Sequence, residues 1–462
     1  MNSTALVLQD VVVSRGGRGD ETIVLAGINL TVQAGEILTI GVEDDQDAHV
    51  LCDVLQGRLA PIYGSVVPGG ATVVHMHCSS DAMGSMARGS GNALVVVGSK
   101  HSVHEITADR RLLLQQGAFV PYKETEARWP SREVETATRI RLQRAGCPYD
   151  IAELVAHLLV DADMHGHPGH GVQLLPTYLA RVSAGGIDPQ ARPAVVKKMG
   201  AVSVLSAQGG FGQLAAWEAA NECARAACVT GISAVAVRHN NHVGMLSAYR
   251  VPFVHEGVVG LIATISGPSV AAPGGRRAAI GNNAICVIAP QGRTREPFVI
   301  DLATGVVACG RIRQAADRHE CVPADWLLDA SGAPTKDPAA LDAGGSVPVF
   351  GGYKGFAISL LIEVLAGIIA GSTVSSRVCR QRVHLDTPMG CSQLFLGLLP
   401  AAFAAGDIGT MLDELRATVA SSQEPNIGRF PGDVERDNFI DASQHGIALP
   451  VELAATLGLS VG

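Results

Sequence analysis

Residues Gly231–Arg250 read GISAVAVRHNNHVGMLSAYR, and the order of properties along them decides how the surrounding chain folds. The apolar run Ile232–Val237 predicts a buried strand. It breaks at the polar residues Arg238–Asn241, passes through His242 and Gly244, and is followed by a helix start. A strand feeding a helix across such a turn presents backbone amides and the positive end of a helix dipole. It also carries an imidazole, which gives or takes a proton near neutral pH, to the strand end. A histidine that merely caps a strand is the alternative reading of His242 taken alone.

Working outward, apolar spacing predicts helices over 132–145, 149–163 and 213–228, the last rich in alanine. Short strands at SAVAVRH (233–239), VVGLIATIS (258–266) and FVIDLAT (298–304) alternate with them, so the fold class is α/β with a mixed sheet and a helical subdomain. Toward the N-terminus, ALVLQDVVVS, ETIVLAGINLTV and GEILTIGV read as strands, 48–58 as a helix, the Gly/Ser/Met-rich 79–92 as a loop, and ALVVVGS as a further strand. The polar stretch PYKETEARWP (121–130) has proline at both ends, as an exposed connector would. The expected division is a small α/β unit over 1–122, a linker over 123–130 and a larger unit over 131–462.

Composition narrows the function classes. With 462 residues, 47% hydrophobic and 17% charged, the chain has material for more than one core. A net charge of −8 without a long basic run disfavours nucleic acid as a partner. The apolar stretch 356–370 contains Glu363, and the N-terminus lacks a basic region before a long apolar one, so neither a membrane span nor an export signal is expected. Ten cysteines without a CxxC pair fit reduced thiols and a cytoplasmic location.

A second stretch, DADMHGHPGHGVQLLPTY (161–178), places His165, His167 and His170 among glycine and proline. Clustered imidazoles bind zinc in some proteins, but no carboxylate or thiol stands at a recognised spacing, so no metal is expected. A substrate-orienting or catalytic His170 is the stronger reading. Four more stretches, GPSVAAPGG (267–275), GNNAICVIAP (281–290), VIDLATGVVACGRI (299–312) and VFGGYKGFAISLLIEVLAG (349–367), put small and polar residues at strand ends, where a cofactor can approach backbone closely.

In this order the stretches resemble the malate/L-lactate dehydrogenase family of the second type, from about residue 131 to 459. The resemblance implies a homodimeric oxidoreductase with its own, non-Rossmann NAD(P)-binding fold, and no GxGxxG follows a strand here. It implies hydride transfer between NAD or NADP and a small-molecule substrate, a 2-oxo or 2-hydroxy compound or a cyclic imine. His242 would transfer the proton, with His170 and Tyr178 orienting the substrate. Cofactor contacts would come from Gly244, Met245, Leu246, Ser266, Asp301, Leu302 and Ala303, and from Lys354, Gly432 and Arg436; Asn283 and Arg311 would meet substrate. The family's motif SHGVxRxPxY reads GHGVQLLPTY here, so Gly169 replaces a serine and Leu174 an arginine. Leucine cannot bind a carboxylate as an arginine fork does. Arg311 falls where some relatives carry an aspartate.

The first unit is similar at GEILTIG, and again at Ala93–Val120, to the nucleotide-binding domain of ABC transporter ATPases. Its phosphate loop, GVEDDQDA (41–48), keeps Gly41 but has Gln46, Asp47 and Ala48 at the Gly, Lys and Ser/Thr positions, behind Glu43, Asp44 and Asp45. Such charge repels phosphate, so a shrunken, silent domain that binds no ATP is expected. The rival to an enzyme is a catalytically silent scaffold or regulatory partner of a transport or biosynthetic system.

Overall fold

In the computed structural model, residues 126–459 are described except 292–295, 318–319, 404–405 and 423–428. Before them, the described residues are 4–15, 22–33, 37–42, 51, 53–55, 63–68, 72–75, 94–99, 110–115 and 118–121. The chain divides into two units, Met1–Glu124 and Thr125–Gly462.

In the first unit, strands β1 (Thr4–Arg15), β2 (Thr22–Gln33) and β4 (Tyr63–Pro68) form an antiparallel sheet in the order β2-β1-β4. A second sheet has the order β5-β6-β3-β7-β8, from β3 (Ile37–Val42), β5 (Thr72–His75), β6 (Leu94–Ser99), β7 (Arg110–Gln115) and β8 (Ala118–Pro121). Its first four strands are parallel, and β8 returns antiparallel on β7. The strands expected at 5–14, 21–32, 35–42 and 93–99 are present within a residue or two. Of the expected helix over 48–58, Leu51 and Asp53–Leu55 are helical; the loop 79–92 and most of the phosphate-loop stretch, 43–48, lie outside the described residues.

The second unit opens on β9 (Glu126–Trp129), which pairs antiparallel with β20 (Ile447–Pro450), Trp129 opposite Ile447. These residues were expected to belong to an exposed linker over 123–130, and the structure differs for a simple reason. Trp129 is 5% exposed in a core with Val134, Ile151 and Leu449, and burying so large an indole outweighs the polar composition around it.

The main sheet has seven strands in the order β10-β11-β12-β19-β13-β16-β17, namely Ala194–Met199, Val202–Ser206, Ile232–Asn240, Cys391–Leu398, Val259–Thr264, Ala284–Ala289 and Phe298–Ala303. Only β11 and β12 pair in parallel; every other neighbouring pair is antiparallel. The helix Gly212–Thr230 makes the crossover between the parallel pair. Along the middle strands the pleat sorts side chains to two faces. Val235, Val237, Ile262 and Phe395 pack under Gly212–Thr230, while Ala236, Ala263 and Leu394 pack against Ile362 and Ala366. The Ala-rich helix fits closely because Ala215, Ala216, Ala219, Ala220 and Ala224 bring its backbone near the sheet.

A helical subdomain, Ser131–Arg144, Tyr149–Met164 and Leu175–Ala184, gathers around a separate apolar cluster that includes Tyr178 and Phe211. It is joined to the helix Arg250–Glu256 by a bidentate ion pair in which Arg250 Nη1 and Nη2 meet Asp161 Oδ2 and Oδ1 at 2.7 and 2.8 Å. Breaking a buried pair of this kind costs about 3–5 kcal/mol. Among the described residues no helix is long and apolar enough to cross a membrane, and the eight described cysteines are unpaired thiols.

Candidate active site

At the end of β12 the chain passes through Asn241, which is buried and holds the junction in place. Its Nδ2 donates to the carbonyls of Gly209 (2.9 Å) and Gly210 (2.8 Å), and its Oδ1 accepts from Arg181 Nη2 (3.0 Å) and Met389 N (2.9 Å). Gly212 opens the crossover helix against the same turn; a Cβ there would lie 2.2 Å from the carbonyl oxygen of His242. The glycine thus lets the helix start come close enough to set the imidazole.

His242 Nδ1 lies 2.9 Å from the Tyr178 hydroxyl, which accepts from Gln213 Nε2 at 2.9 Å. Tyr178 is buried in Leu175–Ala184, and Gln213 stands at the start of Gly212–Thr230. The half-buried rings of His170 and His242 are nearly parallel, with centroids 5.9 Å apart. Seventy-two residues apart in sequence, the two histidines therefore meet. His170 ends a short turn, Pro168–His170, whose backbone bond to His167 O (2.8 Å) fixes it.

Enclosure by protein pushes His242 down to about 3, helped by the charges of His170, Arg382 and Arg181. Burial, with His167 nearby, pushes His170 down to about 4. Both rings are consequently neutral at pH 7. Burial raises the Tyr178 hydroxyl, so it stays protonated and serves as a neutral hydrogen-bond partner.

The expected cofactor contacts converge only in part. Gly244 takes φ +75 and faces the carbonyl of His170. Three residues on, Ser247 N donates to Asp301 Oδ2 at 2.8 Å, which ties the turn to edge strand β17. Leu302 on that strand is 38% exposed and Ala303 partly so. Gly432, at φ +90, begins the helix Asp433–His445 with its α-carbon facing Val299 O of the same strand. Glu435 of that helix reaches His167, 3.4 Å from Oε1 to Nε2. The side chains of Met245 and Leu246 lie in the core, leaving only their backbone to face the turn. Arg436 is paired with Asp433 and Asp437, and Lys354 lies exposed near the start of Tyr353–Ile362.

Asn283 is a correction. Expected to meet substrate, it is fully buried and its amide is engaged on all sides. Its Oδ1 accepts from Ser266 N (3.2 Å) and Ser375 Oγ (3.1 Å), and its Nδ2 donates to Glu363 Oε1 (2.8 Å). Ser375 Oγ also bonds Glu363. The amide supports the end of β13 and Ser266 from within, and with Ser375 it satisfies the buried carboxylate of Glu363.

The departures from the family motif have structural counterparts. Leu174 lies in the helical subdomain's core, so no cation stands there. Gly169 and Gly310 are in backbone contact: a Cβ on Gly310 would lie 3.2 Å from Gly169 Cα. Arg311, the next residue, is exposed on the helix Cys309–Asp317. The histidine cluster is divided among separate partners: His165 Nδ1 is 2.7 Å from Asp161 O, His167 meets Glu435, and His170 stacks on His242. Among the described residues no group of three His, Cys, Asp or Glu could hold a metal ion. Sequence reading missed Gln213, Asn241, Arg181 and Asp163, because each acts through a contact distant in the chain.

A neutral histidine with a tyrosine partner, set at a strand end, is a group able to give or take a proton. A family model described as Malate/L-lactate dehydrogenase matches residues 129–458. The chain is 33% identical over 262 residues to a malate dehydrogenase of Pyrococcus abyssi, covering 55% of this chain and 72% of that protein. It is 33% identical over 255 residues to a Delta(1)-pyrroline-2-carboxylate/Delta(1)-piperideine-2-carboxylate reductase of Pseudomonas putida, covering 55% and 74%. A solved dehydrogenase from Sinorhizobium meliloti superposes with a TM-score of 0.67 at 30% identity, over 72% of this chain and 98% of that one. The chain belongs to the malate/L-lactate dehydrogenase family.

Proposed function

We propose that the chain is a cytoplasmic, homodimeric oxidoreductase that moves a hydride between NAD or NADP and a small 2-oxo or 2-hydroxy acid or cyclic imine. The observation that carries this is the meeting of His170, His242 and Tyr178 beside a glycine turn tied to β17. The residues present suit a nicotinamide cofactor. Gly244 and Gly432 take left-handed backbone conformations, and the exposed Leu302 offers apolar surface next to Asp301. Backbone at 244–246 with Ser266, Asp301–Ala303 and the Gly432 turn would hold the group, and we read Lys354 and Arg436 as partners for its phosphates. When bound, it supplies or takes the hydride.

This chain's residues handle the proton. The Tyr178 oxygen accepts from the Gln213 amide, and the hydroxyl shares one proton with Nδ1 of His242, in the direction the imidazole tautomer sets. That anchors the ring through Nδ1 and leaves Nε2 for substrate. Bare Nε2 accepts the hydroxyl proton of a 2-hydroxy compound, and protonated Nε2 returns it to the oxygen or nitrogen left after reduction. His170 packs parallel to the ring and orients the substrate.

The homodimer is supported by Tyr353–Ile362 and its continuation Glu363–Ile368, which are predominantly apolar. Tyr353 (72% exposed), Leu360, Leu361, Val364 and Ile368 form one uncovered stripe, the surface a second copy would bury. We read the first unit as a remnant of an ABC-type nucleotide-binding domain that binds no ATP; its mostly parallel sheet beside an antiparallel one supports that reading.

The test is turnover. Purified protein should oxidise NADH or NADPH with at least one 2-oxo acid or cyclic imine, and His242→Ala should reduce kcat by about 100-fold or more while cofactor binding and the melting transition persist. Failure to bind either cofactor in calorimetry would favour the silent scaffold instead.

A further inference from the structure

The site as built lacks a cation where the family motif supplies one, since Leu174 is sealed in the core. A substrate carboxylate near His242 still needs a positive partner in a half-enclosed site. We propose that Arg382 is that partner, carried to the site on the loop 381–389, which the buried guanidinium of Arg181 straps beside His242. This rests on the oxidoreductase reading of the same site and names the group that would recognise its acid substrate.

The loop's placement is built from inside. Arg181 is wholly buried, and its guanidinium faces backbone carbonyls rather than a carboxylate. Nη1 donates to His384 O (2.6 Å) and Gln381 O (3.4 Å), and Nη2 to Thr387 O (2.9 Å) and Gly186 O (3.1 Å). The same Nη2 reaches Asn241 Oδ1, which also accepts from Met389 N. One arginine and one asparagine thus tie residues 381, 384, 387 and 389 to the residue directly before His242. Gly186 completes the fit, since a Cβ there would lie 2.2 Å from Leu385 O. A loop fixed at four backbone points has little freedom, so the side chain at 382 emerges from a defined position.

Arg382 is exposed, as a group that meets a diffusing ligand must be. Its charge nevertheless acts on the ring of His242, after that of His170 and ahead of that of Arg181. The coupling has a chemical use. A carboxylate arriving at Arg382 sets a negative charge beside a ring whose burial, first of all, disfavours protonation, so binding an acid substrate helps His242 hold the proton needed for reduction. Arg311, a further exposed arginine near the site, lies on the His170 side, following the Gly169–Gly310 contact.

The experiment uses the full chain and oxalate, a planar dicarboxylate that imitates a 2-oxo acid. Oxalate affinity is measured by calorimetry, with and without NAD(P)H, for wild type, Arg382→Gln, Arg382→Lys and Arg311→Gln; circular dichroism checks folding. Arg382→Gln should weaken oxalate binding by about 30-fold or more, the lysine variant by clearly less, and Arg311→Gln by under about threefold. NAD(P)H affinity should stay unchanged in all four. Unchanged oxalate binding in Arg382→Gln, a loss that falls on Arg311→Gln instead, or no oxalate binding by wild type would overturn the assignment. Absence of NAD(P)H binding would sink the redox reading separately, because the cofactor-free titration still reads Arg382.

Discussion

Asp163 shows how one buried carboxyl prepares the site without touching it. Its Oδ2 accepts from Val172 N at 2.8 Å, its Oδ1 has no partner, and burial pushes it up to about 8. Gly171 fits against it only because it lacks a Cβ, which would lie 2.0 Å from Oδ1. The folded protein keeps this proton through neutral pH, whereas the unfolded chain releases it above about pH 4. Its contribution to stability is therefore complete below about 4 and lost as pH rises toward 8. His170 and His242 act oppositely: neutral when folded, they cost stability as pH falls below about 6.5. Asp163→Asn, which keeps the shape of the protonated acid, should raise the melting temperature by a few degrees at pH 7.5 and by much less at pH 4.5. An equal gain at both pH values would show that Asp163 is ionised in the fold.

Two elements, the Pro168–His170 turn and the helix Cys309–Asp317, approach each other as bare backbone through Gly169 and Gly310. Gly310→Ala would place a methyl 3.2 Å from Gly169 Cα, pushing the turn and the His170 ring with it. The expected result is about a tenfold loss of kcat/KM with little change in melting temperature; full activity would mean the turn tolerates displacement. Regular elements were legible in the sequence because their signals are local. The alternation in Ile232–Asn240 and the alanine spacing in Gly212–Thr230 can be read within ten residues. His170, His242 and Tyr178 were legible through motif order. Asn283 was misplaced because its motif resembles a ligand-facing one, while its burial depends on Glu363 and Ser375, eighty and ninety-two residues away. Gln213 and Arg181 sit in ordinary helical patterns, and only three-dimensional contact distinguishes them.

For the whole molecule, the uncovered stripe from Tyr353 to Ile368 is the surface on which the proposed homodimer rests. Leu361→Asp places a charge at its middle, and light scattering should then report a monomer where the proposed pairing makes wild type a dimer; an unchanged mass would overturn this stripe as the subunit contact. The pairing of β9 with β20 has a different consequence. Since Glu126 lies opposite Pro450 and Trp129 opposite Ile447, the second unit pairs its earliest described strand with its latest. The two strands are far apart in sequence yet complete each other's ladder, so loss of β20 would leave the backbone of β9 unpaired and uncover Trp129.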